Sequence, residues 1–213
     1  AGIQYEMLQV PTDGYLDFYM WPHYATKGYI WMIPKSDGRA NVGLVTEDRK
    51  GAVKSLDQFI ADSEFKDLDK VNPAWRKEGI ATRGFGGTVP ISGPHKATHS
   101  DGLMLVGDAA GFTSPLFEGG SHLALKSASF AAQTAAEAIA AGDTSSEMLA
   151  VYSTRWKEEF PPYEKILRGK TALYSLSDDE MSVMGRCFPE EMSAMGFSGK
   201  TMVGIRLLFR RPS

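Results

Sequence analysis

The stretch Leu103–Ala136, LMLVGDAAGFTSPLFEGGSHLALKSASFAAQTAA, holds the residues of this chain best suited to chemistry. Leu103-Met104-Leu105-Val106 is an apolar run that reads as a short buried strand, and it ends in Gly107-Asp108-Ala109-Ala110-Gly111. A carboxylate just past a strand end, flanked by small residues, can reach a ligand hydroxyl while the backbone stays close. A loop through Pro115 leads to Glu118-Gly119-Gly120, and a helix is expected from about Phe117 or Glu118 to Ala141. Glycines at a helix start leave backbone N–H groups bare, and the helix dipole there favours negative charge. Ala124, Ser127, Ala128, Ala131, Ala132 and Ala135 form a small-residue face that admits another backbone or a flat ligand. At 1.5 Å per residue the helix runs about 35 Å. A lone Gly-Asp is a common turn, and small helix faces mostly serve packing. Their order and spacing together point to a ligand.

The elements that must position this segment are legible on either side of it. Over the first 50 residues the pattern has period two: Tyr15, Asp17, Tyr19 and Trp21 point one way, and Leu16, Phe18 and Met20 the other. Tyr29, Trp31 and Ile33 alternate with Ile30 and Met32. Ser36-Asp37-Gly38-Arg39 supplies a turn, and Ala40, Val42 and Leu44 resume the alternation. With Gln4–Val10 this predicts three or four strands in an antiparallel meander, one face on a core and the other lining something apolar. Val53, Leu56, Phe59 and Ile60 share one face of a short amphipathic helix over residues 52–64. Residues 79–99 read as strand and loop punctuated by glycine and proline. After the long helix, Gly142 suits a left-handed stop and Thr144 or Ser145 the next N-cap. The remainder to Ser213 reads as helical, with Leu149, Tyr152, Trp156 and Phe160 on one face and Pro161-Pro162 as an interruption.

Composition narrows the classes. The 213 residues carry 23 Lys+Arg against 26 Asp+Glu, a net charge of −3, which gives no footprint for nucleic acid. One cysteine, Cys187, excludes an internal disulfide, a cysteine zinc site and a self-contained iron–sulfur cluster. His23, His95 and His99 have no metal-ligand spacing to one another, so no metal is expected. His122 falls in the first turn of the long helix, where an exposed bystander is the simpler reading. The basic, apolar Ile205-Arg206-Leu207-Leu208-Phe209-Arg210-Arg211 could rest on an anionic membrane surface or cap the domain as a helix.

The Gly-Asp segment resembles the second FAD-contacting motif of flavoprotein oxidoreductases of the p-hydroxybenzoate hydroxylase fold. The resemblance implies a site at Gly107, Asp108, Ala109, Gly111, Pro115, Glu118, Gly119 and Gly120. Asp108 would bond the ribityl chain, Pro115 would flank the isoalloxazine ring, and the N–H groups of 118–120 would face its pyrimidine edge. Gly28-Tyr29-Ile30-Trp31-Met32-Ile33-Pro34-Lys35 is similar to the Tyr-x-Trp-x-Phe-Pro element of the geranylgeranyl reductase family, with Ile33 in the phenylalanine place. Ala40–Leu44, Gly86-Gly87-Thr88-Val89-Pro90 and the Tyr152-to-Trp156 spacing are similar too, so the likeness covers about residues 1–160. Gly120-Ser121-His122 departs from the more usual apolar residue after the glycines.

The resemblance implies an α+β chain, part of an α/β FAD-binding fold. It would comprise an antiparallel substrate-binding sheet (1–100), a returning flavin-contact strand and long helix (101–142), and a helical tail (143–213). The implied activity is FAD-dependent saturation of isoprenoid double bonds in membrane-lipid synthesis. Tyr29, Trp31, Met32, Ile33 and Pro34 would form the substrate wall, and no side chain stands out as a proton donor. Tyr-x-Trp-x-Ile-Pro is also close to the signature of flavin-dependent halogenases, so a monooxygenase or halogenase with an aromatic substrate is a second reading. A non-catalytic hydrophobic-ligand module is a third. The single cysteine argues against a quinone reductase with its own iron–sulfur module. No strand–Gly-x-Gly-x-x-Gly–helix unit occurs, and the chain opens at Ala1 without an initiator methionine. The expectation is therefore the C-terminal half of a flavoenzyme about twice as long, whose N-terminal half completes the FAD site. It would be cytoplasmic, with peripheral membrane contact, and its electron donor is not encoded in any motif here.

Overall fold

The computed structural model describes residues 1–71 and 84–187. They fall into two compact units, Ile3–Phe85 with the chain from Tyr174 onward, and Gly86–Leu173 with Ala1–Gly2.

The first unit is built on a sheet. Its strands are β1 (Gly2–Leu8), β2 (Asp17–Tyr19), β3 (Tyr29–Pro34), β4 (Arg39–Val45) and β5 (Lys70–Val71), with helix α1 (Ala52–Asp62) between the last two. The spatial order is β2-β3-β4-β1-β5, and β6 (Phe85–Gly87) also pairs with β1. The meander expected from the period-two pattern therefore holds for β2-β3-β4, while β1 lies beside β4. The register is antiparallel, with Trp31 opposite both Phe18 and Gly43. Alternation sends Ile30, Met32, Val42, Leu44 and Met7 to one face, all at most 1% exposed. Leu56, Phe59 and Ile60 of α1 are buried there as well, and the Tyr19 ring stacks at 5.4 Å from Phe59. Val53, placed on that helix face by periodicity, is 47% exposed instead, and Ala52 takes the inward position.

Polar contacts tie the sheet edges to this core. Tyr5 donates to Asp57 Oδ1 at 2.9 Å, Lys70 donates to the same oxygen at 2.7 Å, and the Lys70 ammonium sits over the Tyr5 ring. Burial, then the Asp57 bond and charge, push the Tyr5 hydroxyl up to about 12. On the other face, Glu6 is buried and accepts from Lys35 at 2.8 Å and Arg39 at 2.9 Å, across the mouth of the β3–β4 turn.

The second unit is mainly helical. β7 (His99–Ser100) and β8 (Leu103–Met104) form a two-stranded ribbon, and α2 (Ser121–Ala141), α3 (Ser146–Glu159) and α4 (Tyr163–Leu173) follow. The apolar run at 103–106 is not the buried strand its composition suggests. Its β8 is two residues long, pairs with β7, and leaves Leu103 52% exposed and Val106 36% exposed. The core instead collects Ala110, Phe112, Leu123, Tyr152, Trp156 and Phe160, with the Phe112 ring 4.9 Å from Trp156 and 4.8 Å from Phe160. The predicted Leu149–Phe160 stripe is inside. Tyr152, fully buried, donates to the Leu105 carbonyl at 2.6 Å, and Trp156 donates to Thr98 at 3.0 Å. Gly142 ends α2 at φ 67° and Ser145 caps α3 through Met148 N–H, as the sequence predicts.

Helix α5 (Asp178–Gly185) belongs with the sheet unit and starts at a capping box between Ser177 and Glu180. Cys187 is buried, its thiol donating to the Val183 carbonyl. The basic segment 205–211 lies outside the described residues, as does part of the loop expected at 79–99.

The Glu6 cluster generates a pH dependence. Burial alone pushes its carboxyl up, but the bonds and charges of Lys35 and Arg39 outweigh that and hold it below its ordinary value. A depressed native value gives stability that is complete above the unfolded value of about 4.5 and is lost as pH falls through the native one. Glu6→Gln is expected to lower stability by about 1–3 kcal/mol at neutral pH, discounted for the partly exposed cations. In denaturant titrations the gap from wild type narrows below about pH 4.5. A gap that stays constant with pH contradicts this account.

Candidate functional site

Two groups of residues carry chemistry, one in each unit. In the helical unit, Gly107–Ala110 forms a single turn of 3₁₀ helix that closes at Gly111. Gly111 has φ 78°, and a Cβ there would stand 2.4 Å from the Gly93 carbonyl oxygen, so only glycine fits. Gly107 N–H donates to Ser127 Oγ at 3.0 Å, which anchors the turn to the small-residue face of α2. Of that face, Ser127 is buried, while Ala128 and Ala132 are exposed. The Asp108 side chain is exposed, and one of its oxygens accepts from Thr113 at 3.1 Å. Ala109 is exposed beside it, and Pro115 is buried.

Helix α2 starts at Ser121, three or four residues later than the sequence pattern indicates. Glu118 explains the delay: its φ of 49° is left-handed and breaks the helical run. The N-cap Gly120 supplies no side-chain cap to the first turn, in which Ser121 and His122 are exposed and Leu123 is buried. Gly120 also lies so close to Asp108 that a Cβ would meet Oδ1 at 2.9 Å. The Glu118 side chain is not part of this outward surface. It is 5% exposed and forms a salt bridge with Lys170 of α4, itself 8% exposed. Near the same loop, the buried Tyr163 ring packs against Gly93, and burial pushes its hydroxyl up to about 12.

In the sheet unit, Tyr29, Trp31 and Ile33 share one face of β3. Trp31 Nε1 donates to Gln4 Oε1 at 3.1 Å, and the Phe18 and Tyr29 rings meet edge-on at 5.0 Å. Trp31 lies across Gly43, where a Cβ would come within 2.5 Å of both the indole and Gln4 Cβ. Met32 and Pro34, grouped with these residues in the sequence reading, point to the opposite face by strand alternation. Met32 is 1% exposed on the α1 side. On the Tyr29 face Trp31 and Ile33 are partly open to a ligand, whereas Tyr29 is only 5% exposed, its ring packed against Phe18 and Trp31. A cavity of about 300 Å³ in this unit is lined by Tyr19, Met20, Trp21, Asp178 and Ser182 and contains none of the candidate residues.

The family model described as geranylgeranyl reductase catalytic domain matches residues 1–74. Digeranylgeranylglycerophospholipid reductase 2 of Methanothermobacter thermautotrophicus is 35% identical over 86% of this chain and 46% of its own length. Digeranylgeranylglycerophospholipid reductase of Methanocaldococcus jannaschii is 36% identical over 99% of this chain and 52% of its own. The crystal structure of a geranylgeranyl bacteriochlorophyll reductase-like protein from Thermoplasma acidophilum matches with a TM-score of 0.80 at 30% identity. It covers 95% of this chain and 50% of that one. The chain belongs to the geranylgeranyl reductase family. It spans about half the length of the curated relatives it matches. A flavoprotein/dehydrogenase from Cytophaga hutchinsonii shares the fold at 17% identity, with a TM-score of 0.53.

The donor set around α2 fits a flavin of the kind that this family membership implies. It offers an exposed carboxylate for hydroxyls, bare N–H groups for a ring edge that becomes negative, and a loop without side chains at 119–120. Sequence reasoning missed Thr113 and Lys170, which hold Asp108 and Glu118. Thr113 is five residues from its partner and could have been found as a local hydroxyl–carboxylate pair. Lys170 is 52 residues away and carries no local signal. Among the described residues, no cluster of three His, Cys, Asp or Glu could hold a metal, and no helix is long and apolar enough to cross a membrane.

Two outcomes are expected. Gly43→Ala forces its methyl into backbone and indole at once, and it should destabilise the protein by about 1–3 kcal/mol and alter the Trp31 fluorescence. Lys170→Met removes the buried cation beside Glu118 and should cost about 3–5 kcal/mol, most of it recovered in the Lys170→Met, Glu118→Gln double variant. Additive losses in thermal denaturation would contradict the pairing.

Proposed function

We propose that this chain provides the substrate wall and part of the flavin site of an FAD-dependent reductase that saturates geranylgeranyl double bonds on membrane lipids. The observation that carries this reading is the Tyr29–Trp31–Ile33 row, within the residues that match the reductase catalytic domain. The names of the relatives, digeranylgeranylglycerophospholipid reductases, supply the substrate class. The cytoplasmic face of a membrane, reached peripherally, is where such a lipid would be met.

When bound, FAD supplies the hydride. Asp108, with one oxygen held by Thr113, keeps its other acceptor positions for ribityl hydroxyls. The first-turn N–H groups of α2 would face the pyrimidine edge, and the positive end of the helix favours the anionic reduced ring. Gly119 and Gly120 keep side chains out of that approach. Trp31 and Ile33 bind the isoprenoid by apolar contact and exclude water, the condition an unactivated alkene needs. Glu118 serves through its backbone, since its carboxylate is taken by Lys170.

The test uses the full-length protein, reduced under anaerobic conditions and given a digeranylgeranyl glycerophospholipid. Mass spectrometry is expected to show stepwise gains of two hydrogens per double bond without oxygen. Inertness until oxygen is added, followed by oxidation of an aromatic substrate, would sink the proposal in favour of a monooxygenase. Asp108→Ala should weaken flavin retention by about tenfold, in line with one lost charge-assisted hydrogen bond.

A further inference from the structure

The aromatic face of the sheet does not end in solvent. Along the line of β3, the side chain after Tyr29, Trp31 and Ile33 on the same face is Lys35, whose N–H bonds the Arg39 carbonyl at 2.8 Å across the turn. Arg39 begins the matching row of β4, with Asn41 and Gly43. On β1, Gln4 and Glu6 share this face: Gln4 holds the Trp31 indole, and Glu6 holds Lys35 and Arg39. An apolar row therefore runs into a cluster of two cations and one carboxylate. From Trp31 to Lys35 the strand line advances about 13 Å.

The cluster is unequal in reach. Glu6 is 1% exposed, whereas Lys35 and Arg39 are 38% and 36% exposed. Each cation gives one donor to Glu6, and an ammonium has three while a guanidinium has five. Asp37, at the exposed turn tip, makes no ion pair with either among the described residues. The sum over Lys35, Arg39 and Glu6 is +1. Glu6 gathers both cations onto this face and cancels one of them.

We propose that Lys35 and Arg39 bind the headgroup phosphate of a prenylated glycerophospholipid whose chain lies along Trp31 and Ile33. This rests on the reductase reading above and adds the selection of headgroup. A residual charge of +1 matches the single negative charge of a phosphodiester. An uncharged prenyl glycerol gains nothing from it, and a free prenyl diphosphate brings more charge than the cluster can neutralise.

The experiment compares full-length, flavin-loaded wild type, Arg39→Gln and Glu6→Gln on two lipids with the same prenyl chains, one with a phosphodiester headgroup and one ending in an uncharged glycerol. The readouts are KM for reduction and equilibrium binding to vesicles doped with each lipid. Arg39→Gln is expected to lower the preference for the phospholipid about tenfold, chiefly through KM. Glu6→Gln, which raises the sum to +2, is expected to raise that preference. The opposite signs separate recognition from a purely structural pin, which would move both variants the same way or leave the ratio unchanged; either result overturns the proposal. Inorganic phosphate that competes as strongly as the phospholipid would assign the cluster to the free anion and also overturn it. If wild type reduces neither lipid, the reductase reading falls, and the vesicle binding ratios still decide the headgroup proposal.

Discussion

A β-strand can offer a ligand only every second side chain, and the sheet unit is organised around that constraint. β3 carries Tyr29, Ile30, Trp31, Met32 and Ile33 in succession, all apolar, so composition alone does not say which of them face a ligand. The fold divides them. Ile30 and Met32 are at most 1% exposed beneath α1, and Trp31 and Ile33 stay partly open on the other face. Gly43 makes the division workable, because any side chain at that β4 position would occupy the space of the Trp31 indole. The Gln4 amide then fixes the indole edge. One strand thereby serves a packed core and an open wall, and a register slip of one residue would exchange them.

The helical unit meets a different demand, which is to hold a glycine-rich loop against the start of α2 without collapsing it. Its solution is to fix that loop from behind. Ser127 of α2 takes the Gly107 N–H, Gly111 leaves room for the Gly93 carbonyl, and Lys170 of α4 pairs with the carboxylate of Glu118, whose backbone is left-handed. A buried ion pair is a weak source of net stability. Here its value lies in position: with the Glu118 carboxylate turned inward to Lys170, Asp108 is the acidic side chain left beside the start of α2.

What was legible in the sequence divides along the same lines. Helix ends set by local chemistry were readable, as Gly142 and Ser145 show, because capping involves residues three or four apart. The Leu149–Phe160 stripe was readable for the same reason. Strand faces were readable as alternation, but which face is covered depends on α1, so Met32 and Pro34 were grouped with the wall. The run Leu103–Val106 misled because apolar composition measures what could be buried, and β8 pairs with β7 over only two residues. The long helix was placed too early because a left-handed Glu118 has no signature of its own. The partner of its carboxylate, Lys170, is 52 residues away.

Formal charge is distributed differently in the two units. Among the described strand residues of the Tyr29–Ile33 face there is no ionisable group except the tyrosine hydroxyl before the charges of Lys35, Arg39 and Glu6. An apolar chain can shed its water along such a row without stranding a charge, and burial of this kind contributes on the order of 25 cal/mol per Å². The start of α2 differs, since the positive end of its dipole lies beside the Asp108 carboxylate. Backbone donors cannot be deprotonated or swing away, so the dipole at that helix start does not change with pH. Each feature is fixed by packing, the apolar row by strand alternation over α1 and the helix start by the loop behind it.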